Sequence, residues 1–364
     1  MTSAMTTAET SIQASLPAVD GDYMLEQTAA LCRIPSPTGF TRAAIDHVAA
    51  ELMALGLPTR RTRKGALIAD LPGGDASLGG RTLSAHVDTL GAMVRDITAA
   101  GRLKLTRIGG YDWSTIEGEY CLVHAFGRAP ISGTILTNKA SGHVHGSDLV
   151  DLKRDETNLE VRLDAAVKSA DDVRELGLEV GDFVSLDPRV TVLENGFIKS
   201  RHLDDKACVA ILLGLAKSVV EHPRSLAAPS YLYISNFEEV GHGSSAGLPE
   251  GTVDLIAVDM AAVGEGQTSD EMATTICVKD SSGPYDYDLS RLLIDLARAN
   301  DLDYRVDTYR HYASDVSQAL RAGWDVRGGL VGPGVDASHS FERLHRDSLV
   351  ETCRLLLAYL LTAD

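Results

Sequence analysis

The chain has few cysteines, and their spacing matches neither a set of disulfides nor a metal site. The five cysteines are an odd number, are widely scattered and form no C-x-x-C pair. Neither a disulfide framework nor a thiolate zinc site is therefore expected. Free thiols of this kind are typical of a reducing compartment, so we expect a cytoplasmic protein.

Long apolar runs are also missing. No stretch approaches the ~18 to 20 consecutive apolar residues that a membrane-spanning helix needs. The Ser-, Thr- and Ala-rich opening has neither the basic segment nor the apolar segment of a secretory signal. We therefore expect neither membrane insertion nor secretion.

Basic residues are scarce relative to acidic ones. The chain has 34 Lys and Arg against 51 Asp and Glu, which gives a formal net charge of −17. Binding to nucleic acid phosphates would need a basic stripe. The longest basic cluster fits one solvated strand edge better, and it comprises Arg60, Arg61, Arg63 and Lys64. No nucleic acid partner is expected.

The patterns that are present predict an α/β fold with an insertion. A chain of 364 residues suggests two domains at ~150 residues each. Helical and strand patterns alternate near both ends, whereas short strand-like runs separated by glycines fill the segment from Ala92 to Pro188. We predict a discontinuous α/β domain, residues 19–91 and 189–364, that is interrupted by a β-rich insert, residues 92–188.

Side chains that can bind metal collect where predicted strands end or helices begin, which is where open α/β sheets build their sites. Each has a simpler explanation taken singly: Asp204 could cap a helix, and His339 could be an ordinary surface histidine. Five separate elements that each offer a ligand at the same end are harder to explain in this way. The candidates are His86, Asp88, Asp204, Asp205, Glu238, Glu239, Asp259 and His339.

Carboxylates mixed with two imidazoles and no thiolate predict a hydrolytic site for divalent cations. Zinc is the first expectation, with cobalt or manganese as alternatives. Two ions ~3.5 to 4 Å apart would need one shared carboxylate. Glu238 and Glu239 are neighbours, and neighbours in a strand face opposite ways, so we expect one to bind metal and the other to act as general base.

Four motifs together resemble peptidase family M forty-two, the tetrahedral, glutamyl and lysyl aminopeptidases, some of which carry an older endoglucanase label. The motifs are AHVDTLG at 85–91, LDDK at 203–206, FEEVG at 237–241 and SHSFE at 338–342. The resemblance covers nearly the whole chain. It implies a mixed central sheet flanked by helices, as in zinc exopeptidases, with a small inserted β-barrel domain used in assembly. It also implies a two-metal exopeptidase that forms homo-oligomers, from dimers up to a dodecamer.

The resemblance also implies a role for each candidate. The implied ligands of one metal are His86, Asp204 and Asp259. The implied ligands of the other metal are Asp204, Glu239 and His339. Asp204 would then bridge the ions, while Asp205 would have a structural role. Glu238 would be the general base, and Asp88 would orient His86.

Some positions depart from the family pattern without removing a ligand. They are Thr89, the segment around His143 and His145, and Asp336 with Ala337. We expect these positions to lie near the substrate. The two histidines could line a pocket or add ligands, although loop histidines usually do neither. Asp315 and Asp336 are candidates to contact a substrate amine, and a simple role in turns is an equal alternative.

The leading prediction is a metal-dependent aminopeptidase that removes N-terminal residues from short peptides. The departures resemble a subgroup associated with bacterial osmoprotectant dipeptide synthesis, so the alternative is a deacylase or amidase acting on a small capped dipeptide. A requirement for a free α-amine separates the two. An endoglucanase is least expected. It would need two carboxyl groups on opposite faces of a sugar, ~5 to 9.5 Å apart, and two adjacent glutamates flanked by metal ligands do not supply that arrangement.

Overall fold

The computed structural model describes residues 16–363. The opening segment, for which the sequence predicts no secretory signal, lies largely outside those residues. The helices are α1 (Gly21–Cys32), α2 (Arg42–Ala54), α3 (Gly142–His145), α4 (Ala170–Glu175), α5 (Leu203–Glu221), α6 (Tyr287–Ala299), α7 (Asp315–Arg321) and α8 (Arg346–Leu361). The strands are β1 (Thr59–Arg61), β2 (Leu67–Leu71), β3 (Gly80–His86), β4 (Gly91–Ile97), β5 (Leu103–Ile108), β6 (Tyr120–His124), β7 (Ile131–Thr137), β8 (Leu159–Leu163), β9 (Phe183–Leu186), β10 (Thr191–Val192), β11 (Phe197–Ser200), β12 (Ser230–Ser235), β13 (Thr252–Val258), β14 (Ala261–Val263), β15 (Thr274–Asp280), β16 (Gly283–Pro284), β17 (Tyr304–Thr308), β18 (Arg327–Asp336) and β19 (Glu342–His345).

Most strands outside the insert belong to one mixed sheet, which confirms the predicted fold class. At its centre β12, β3, β13 and β18 are parallel neighbours, and β2 pairs with β12 in the antiparallel direction. The carboxyl ends of parallel strands meet at the same edge of a sheet. His86 closes β3 and Asp259 directly follows β13, so this edge collects the predicted ligands.

Helix α5 is apolar on nearly all sides and lies inside the molecule, as such a helix must. Every residue from Ala207 to Ala216 is buried. The helix packs against α1, α8 and β3. It begins at Leu203, so Asp204 and Asp205 are carried by its first turn to the edge of the sheet where β3 ends.

The insert is a closed β-barrel with strand order β4-β5-β8-β7-β6-β9. It has an apolar interior separate from that of the sheet and helices. Side chains that fill the barrel without solvent exposure include Leu103, Leu105, Ile116, Val161 and Val184. The barrel therefore has a hydrophobic core of its own, as expected of the β-rich segment predicted from the sequence.

The basic cluster lies at the surface, where Arg60, Arg61 and Arg63 are exposed. The basic cluster begins on the exposed edge strand β1, where an oxygen of Asp70 lies 2.6 Å from a guanidinium nitrogen of Arg60. Among residues 16–363, no helix is long and apolar enough to cross a membrane.

Strand β18 contains a glycine where a neighbouring backbone approaches closely. A Cβ added to Gly332 would lie 1.8 Å from the carbonyl oxygen of Asp259. The amide of Asp259 also donates a hydrogen bond to the carbonyl of Val331, at 3.0 Å. A side chain at position 332 would therefore push the backbone of a predicted metal ligand away from β18.

We predict that Gly332→Ala lowers the free energy of unfolding by about 1 to 3 kcal/mol or more, because an overpacked site must shift its backbone. The matched control is Gly264→Ala, since open space surrounds Gly264 and a change there should stay within about 0.5 kcal/mol. Urea unfolding of both variants measures the difference. Equal midpoints would contradict the packing argument.

Candidate metal and catalytic site

The elements that meet at the carboxyl edge of the parallel strands bring the predicted residues together. His86 ends β3, and Glu238 and Glu239 form a single helical turn shortly after β12. His339 follows β18 at a left-handed φ of 63°. These side chains surround Asp204 at the start of α5.

The ring of His86 is buried and oriented by its own loop. Its Nδ1 lies 2.9 Å from the backbone carbonyl oxygen of Asp88. A carbonyl oxygen only accepts hydrogen bonds, so in the neutral ring Nδ1 carries the proton. In this neutral form Nε2 presents its lone pair to the site, which is the orientation a metal-binding histidine needs. Burial acts to lower the pKa of His86, but hydrogen bonds to Asp204 and Asp88 raise it well above its ordinary value. In the protonated ring Nε2 donates to Oδ1 of Asp204, 3.3 Å away.

The carboxylate of Asp88 is fully buried and organises the turn that carries both glutamates. It accepts hydrogen bonds from the Thr38 hydroxyl at 2.7 Å and from the backbone amides of Glu238 and Glu239 at 3.1 and 3.2 Å. Burial acts to raise the pKa of Asp88, but His86 and these donors lower it below its ordinary value. Asp88 thus stays ionised while it holds the turn in place.

Asp204 lies between the two histidines. Its Oδ1 is 3.3 Å from Nε2 of His86, and its Oδ2 is 3.3 Å from Nε2 of His339. Burial acts to raise its pKa, but hydrogen bonds from both histidines hold the pKa well below its ordinary value. The peptide bond between Asp204 and Asp205 is cis. One carboxylate therefore faces both halves of the site.

Within the part of the chain that the structure describes, two groups of three side chains place their possible ligand atoms within 4.8 Å of one another. One group has the same members as the second implied ligand set, namely Asp204, Glu239 and His339. The other group consists of His86, Asp205 and Asp259. It contains Asp205 where the resemblance implies Asp204. Oδ2 of Asp205 accepts the backbone amide of His86 at 3.0 Å, so this carboxylate is part of the site as well as of the fold.

The buried carboxylates make the site electrostatically favourable for cations. Burial, with the nearby Asp204 carboxylate, raises the pKa of Asp259 to about 7, and burial raises that of Glu239 to about 8. Oδ1 of Asp205 and Oε1 of Glu239 are buried and have no hydrogen-bond partner among the described residues. Such oxygens are costly to bury. A divalent cation would supply the missing partner and the missing positive charge, so these residues fit a metal.

The ring of His339 is held through Nδ1 by a backbone carbonyl of the insert. Nδ1 is 2.5 Å from the carbonyl oxygen of Gly110, and Nε2 is 3.7 Å from Oε2 of Glu239. Burial acts to lower its pKa, but Glu239 and Asp204 raise the pKa to about 10. Glu342 joins the two sides of the site, because its carboxylate accepts the backbone amides of both Asp204 and His339, at 3.1 Å each.

Glu238 is positioned differently from Glu239. Its Oε2 lies 3.8 Å from Nε2 of His86, while its Oε1 accepts a hydrogen bond from the Gln318 side chain at 2.6 Å. Burial, with the carboxylates of Asp259 and Asp315, raises its pKa well above the ordinary value. A buried glutamate with a raised pKa beside a ligand cluster is suited to accept and return a proton.

The predicted substrate residues lie at different depths. Asp315 is 2% exposed, and its Oδ1 accepts the backbone amide of Ser244 at 2.9 Å. Asp336 is half-buried at the end of β18, paired in register with Arg343 of β19. Their contact with a substrate amine stays a prediction. His143 and His145 lie on the short, largely exposed helix α3 and belong to neither ligand group.

Sequence reasoning did not identify three supporting residues: Thr38, Gln318 and Glu342. Glu342 lies inside the SHSFE motif, so the motif itself was a signal. Thr38 and Gln318 reach the site from 50 and 80 positions away from Asp88 and Glu238, respectively. Nothing in the local pattern of either segment indicates those contacts.

The fold and the two groups of possible ligands define a candidate site for divalent cations, and comparison with known proteins gives the family. Residues 65–355 match the family described as M42 glutamyl aminopeptidase. YhfE of Bacillus subtilis (strain 168), whose name proposes an aminopeptidase activity, is 48% identical over 335 residues, covering 92% of this chain and 96% of YhfE. The chain belongs to the M42 glutamyl aminopeptidase family.

Solved structures agree with the fold. The TET1 peptidase of Pyrococcus horikoshii superposes with a TM-score of 0.81 at 21% identity, covering 93% of this chain and 99% of that chain. The TET aminopeptidase of Thaumarchaeota archaeon SCGC AB-539-E09 gives a TM-score of 0.85 at 16% identity, covering 94% and 97%. These proteins share the α/β architecture over almost their whole length.

Proposed function

We propose that this chain is a two-metal-dependent aminopeptidase that removes N-terminal residues from short peptides. The observation that carries the proposal is the position of Asp204, whose two carboxylate oxygens each lie 3.3 Å from a different histidine. A carboxylate between two ligand groups is the part that a co-catalytic pair of cations requires. Zinc is the cation we favour for this donor set, with cobalt or manganese as alternatives.

The proposed ligands follow from the two groups. One cation would be held by His86, Asp204 and Asp259, with Asp205 close enough to contribute an oxygen. The other would be held by Asp204, Glu239 and His339. Cations bound there would polarise the scissile carbonyl and lower the pKa of the attacking water.

Glu238 is proposed as the general base. Its Oε1 is engaged by Gln318, so Oε2, which faces His86, is the oxygen available to the attacking water. Glu238 would accept a proton from that water as it attacks the scissile carbon. It would then give the proton to the nitrogen of the leaving amine. Glu239 cannot share this role because it points into the second ligand group.

The substrate is proposed to carry a free α-amine. Asp336 remains the candidate contact for this amine, because it lies half-buried three residues before His339. Asp315 is a weaker candidate, since its burial and its bond to the Ser244 amide suit support of the neighbouring turn.

The five cysteines are all buried and free of disulfides, which supports a reducing, cytoplasmic setting.

We further propose that the chain forms closed homo-oligomers through the barrel, up to a dodecamer. The TET1 peptidase of Pyrococcus horikoshii is described as able to assemble into a tetrahedron or a large octahedral shell. The barrel of this chain carries apolar side chains that are mostly exposed: Tyr120 at 64%, Phe126 at 99% and Val180 at 63%. These side chains are the ones proposed to be covered by another subunit.

Glu238→Gln should lower kcat by roughly 10² to 10⁴-fold, because it removes a proton acceptor while keeping the size of the side chain. Hydrolysis of aminoacyl and N-capped substrates, with Zn, Co or Mn supplied, measures the effect. The control is Glu250→Gln, at an exposed glutamate outside the site. Retention of more than about half of the wild-type kcat would refute the proposed base. Cleavage of capped substrates alone would favour an amidase.

Asp204→Ala should remove metal from both ligand groups, whereas His86→Ala and His339→Ala should each deplete mainly one. The reason is that Asp204 alone is proposed to touch both cations. Elemental analysis after dialysis gives the stoichiometry, with His47→Ala on α2 as a histidine control outside the site. The same stoichiometry in all three site variants would rule out the bridging role.

The intact chain should be an oligomer at micromolar concentration, and Phe126→Ser combined with Val180→Ser should produce smaller particles. Loss of buried apolar contact at the interface is the reason. Light scattering measures particle mass, and Met53→Ser, at an exposed methionine on α2, is the control. A monomeric wild-type chain would refute the assembly. An unchanged mass in the double variant would refute these side chains as its contact.

A further inference from the structure

Gln318 is a buried amide that sits against the proposed base. It lies on α7 and is 4% exposed. Its Nε2 is 2.6 Å from Oε1 of Glu238 and 3.1 Å from the Glu238 backbone carbonyl oxygen. Its Oε1 accepts the backbone amide of Gly243. Every polar atom of the amide group is thus used within the turn that carries Glu238.

The orientation of this amide follows from its partners. The backbone N–H of Gly243 can only donate, so it must face the oxygen of the Gln318 amide. The NH₂ group then faces two oxygens of Glu238, which accept. The reverse orientation would place the NH₂ group against the N–H of Gly243 and the amide oxygen against the two oxygens of Glu238. The contacts therefore fix one arrangement.

This contact determines which carboxylate oxygen of Glu238 is free. Among the described residues, Gln318 is the one hydrogen-bond donor to the Glu238 carboxylate. It occupies Oε1 and leaves Oε2 toward the ligand cluster, 3.8 Å from Nε2 of His86. Without the amide, a buried carboxylate would lose its donor and could rotate away from the cluster.

The helix that carries Gln318 is itself held in place on two sides. Asp315 accepts the backbone amide of Ser244, and Ser317 donates to the carboxylate of Asp280. The amide therefore projects from a fixed element, as a residue that holds a catalytic group should. Leu320 lies on the same helix with its side chain 47% exposed, which makes it a suitable control.

We propose that Gln318 is a positioning residue that holds the Glu238 carboxylate by one oxygen and aims the other at the attacking water. The proposal rests on the proposed role of Glu238 as general base. Gln318 does not touch the reacting atoms in this arrangement. It acts through Glu238, so its loss should affect turnover much more than substrate binding.

Two substitutions separate the donor from the rest of the amide. Gln318→Glu keeps the chain length and an oxygen for the Gly243 amide but replaces the donor to Glu238. Gln318→Met removes both contacts at similar size, and it carries the test if the charged variant fails to fold. Leu320→Ala is the control on the same helix. Each protein is assayed with metal supplied for kcat, KM, metal content and melting temperature.

Gln318→Met should lower kcat by roughly 10 to 100-fold, as for the partners of other active-site groups. KM should change by less than about 2-fold, because Gln318 is not proposed to contact the bound substrate. Metal content should equal that of the wild type. Leu320→Ala should keep kcat within about 2-fold even if its melting temperature falls.

The deciding measurement repeats Gln318→Met in a Glu238→Asp background, where the carboxylate is withdrawn from the amide by one methylene. If Gln318 acts through Glu238, the second substitution should lower kcat by less than about 2-fold there. Equal losses in both backgrounds, or a loss explained by missing metal, would overturn the positioning role and leave the aminopeptidase mechanism standing. Near wild-type kcat in Glu238→Gln would instead overturn the base assignment, and the role of Gln318 with it.

Discussion

The burial of several neighbouring carboxylates at one edge of the sheet is the constraint on which the rest of the structure depends. Asp205, Glu239 and Asp259 all have pKa values raised first of all by burial. The cost of burying charge and the repulsion between like charges would drive such groups apart or outward, so the surrounding elements must hold them in position. Two histidines and backbone amides offset part of the repulsion, and the remaining uncompensated charge is what suits the site to cations.

The fold meets this constraint with rigid, buried elements. Helix α5 brings Asp204 and Asp205 to the sheet because it has no polar face on which to turn outward. Lys206, which follows them, is fully buried and donates to the carbonyls of Leu31 and Ile34 at 2.9 and 2.6 Å. Burial lowers its pKa to about 8. These contacts tie the start of α5 to the end of α1, so the carboxylates cannot relax by sliding along the sheet.

Sequence patterns predicted what depends on local periodicity and on strand ends. His86 and Asp259 were placed together because apolar strands end beside them, and the alternation of helices and strands predicted the α/β fold. The pattern did not indicate α7 or β17, which are short and partly exposed. It also could not show that Asp205 lies as close to His86 as it does, because two adjacent aspartates differ by only one position in their separation from every other residue. Contacts such as that of Gln318 depend on packing between distant segments and have no local signature.

Glu238 and Glu239 can have different roles because Asp88 fixes the positions of both. Asp88 also fixes the ring of a histidine. The carboxylate of Asp88 accepts the amides of Glu238 and Glu239, and its backbone carbonyl accepts Nδ1 of His86. The turn held in this way sends Glu239 toward His339 and Glu238 toward His86. The aspartate of the AHVDTLG motif therefore does more than orient a histidine. It couples the orientation of His86 to the geometry of the turn, so the proposed base and the proposed ligands are held in place by one residue.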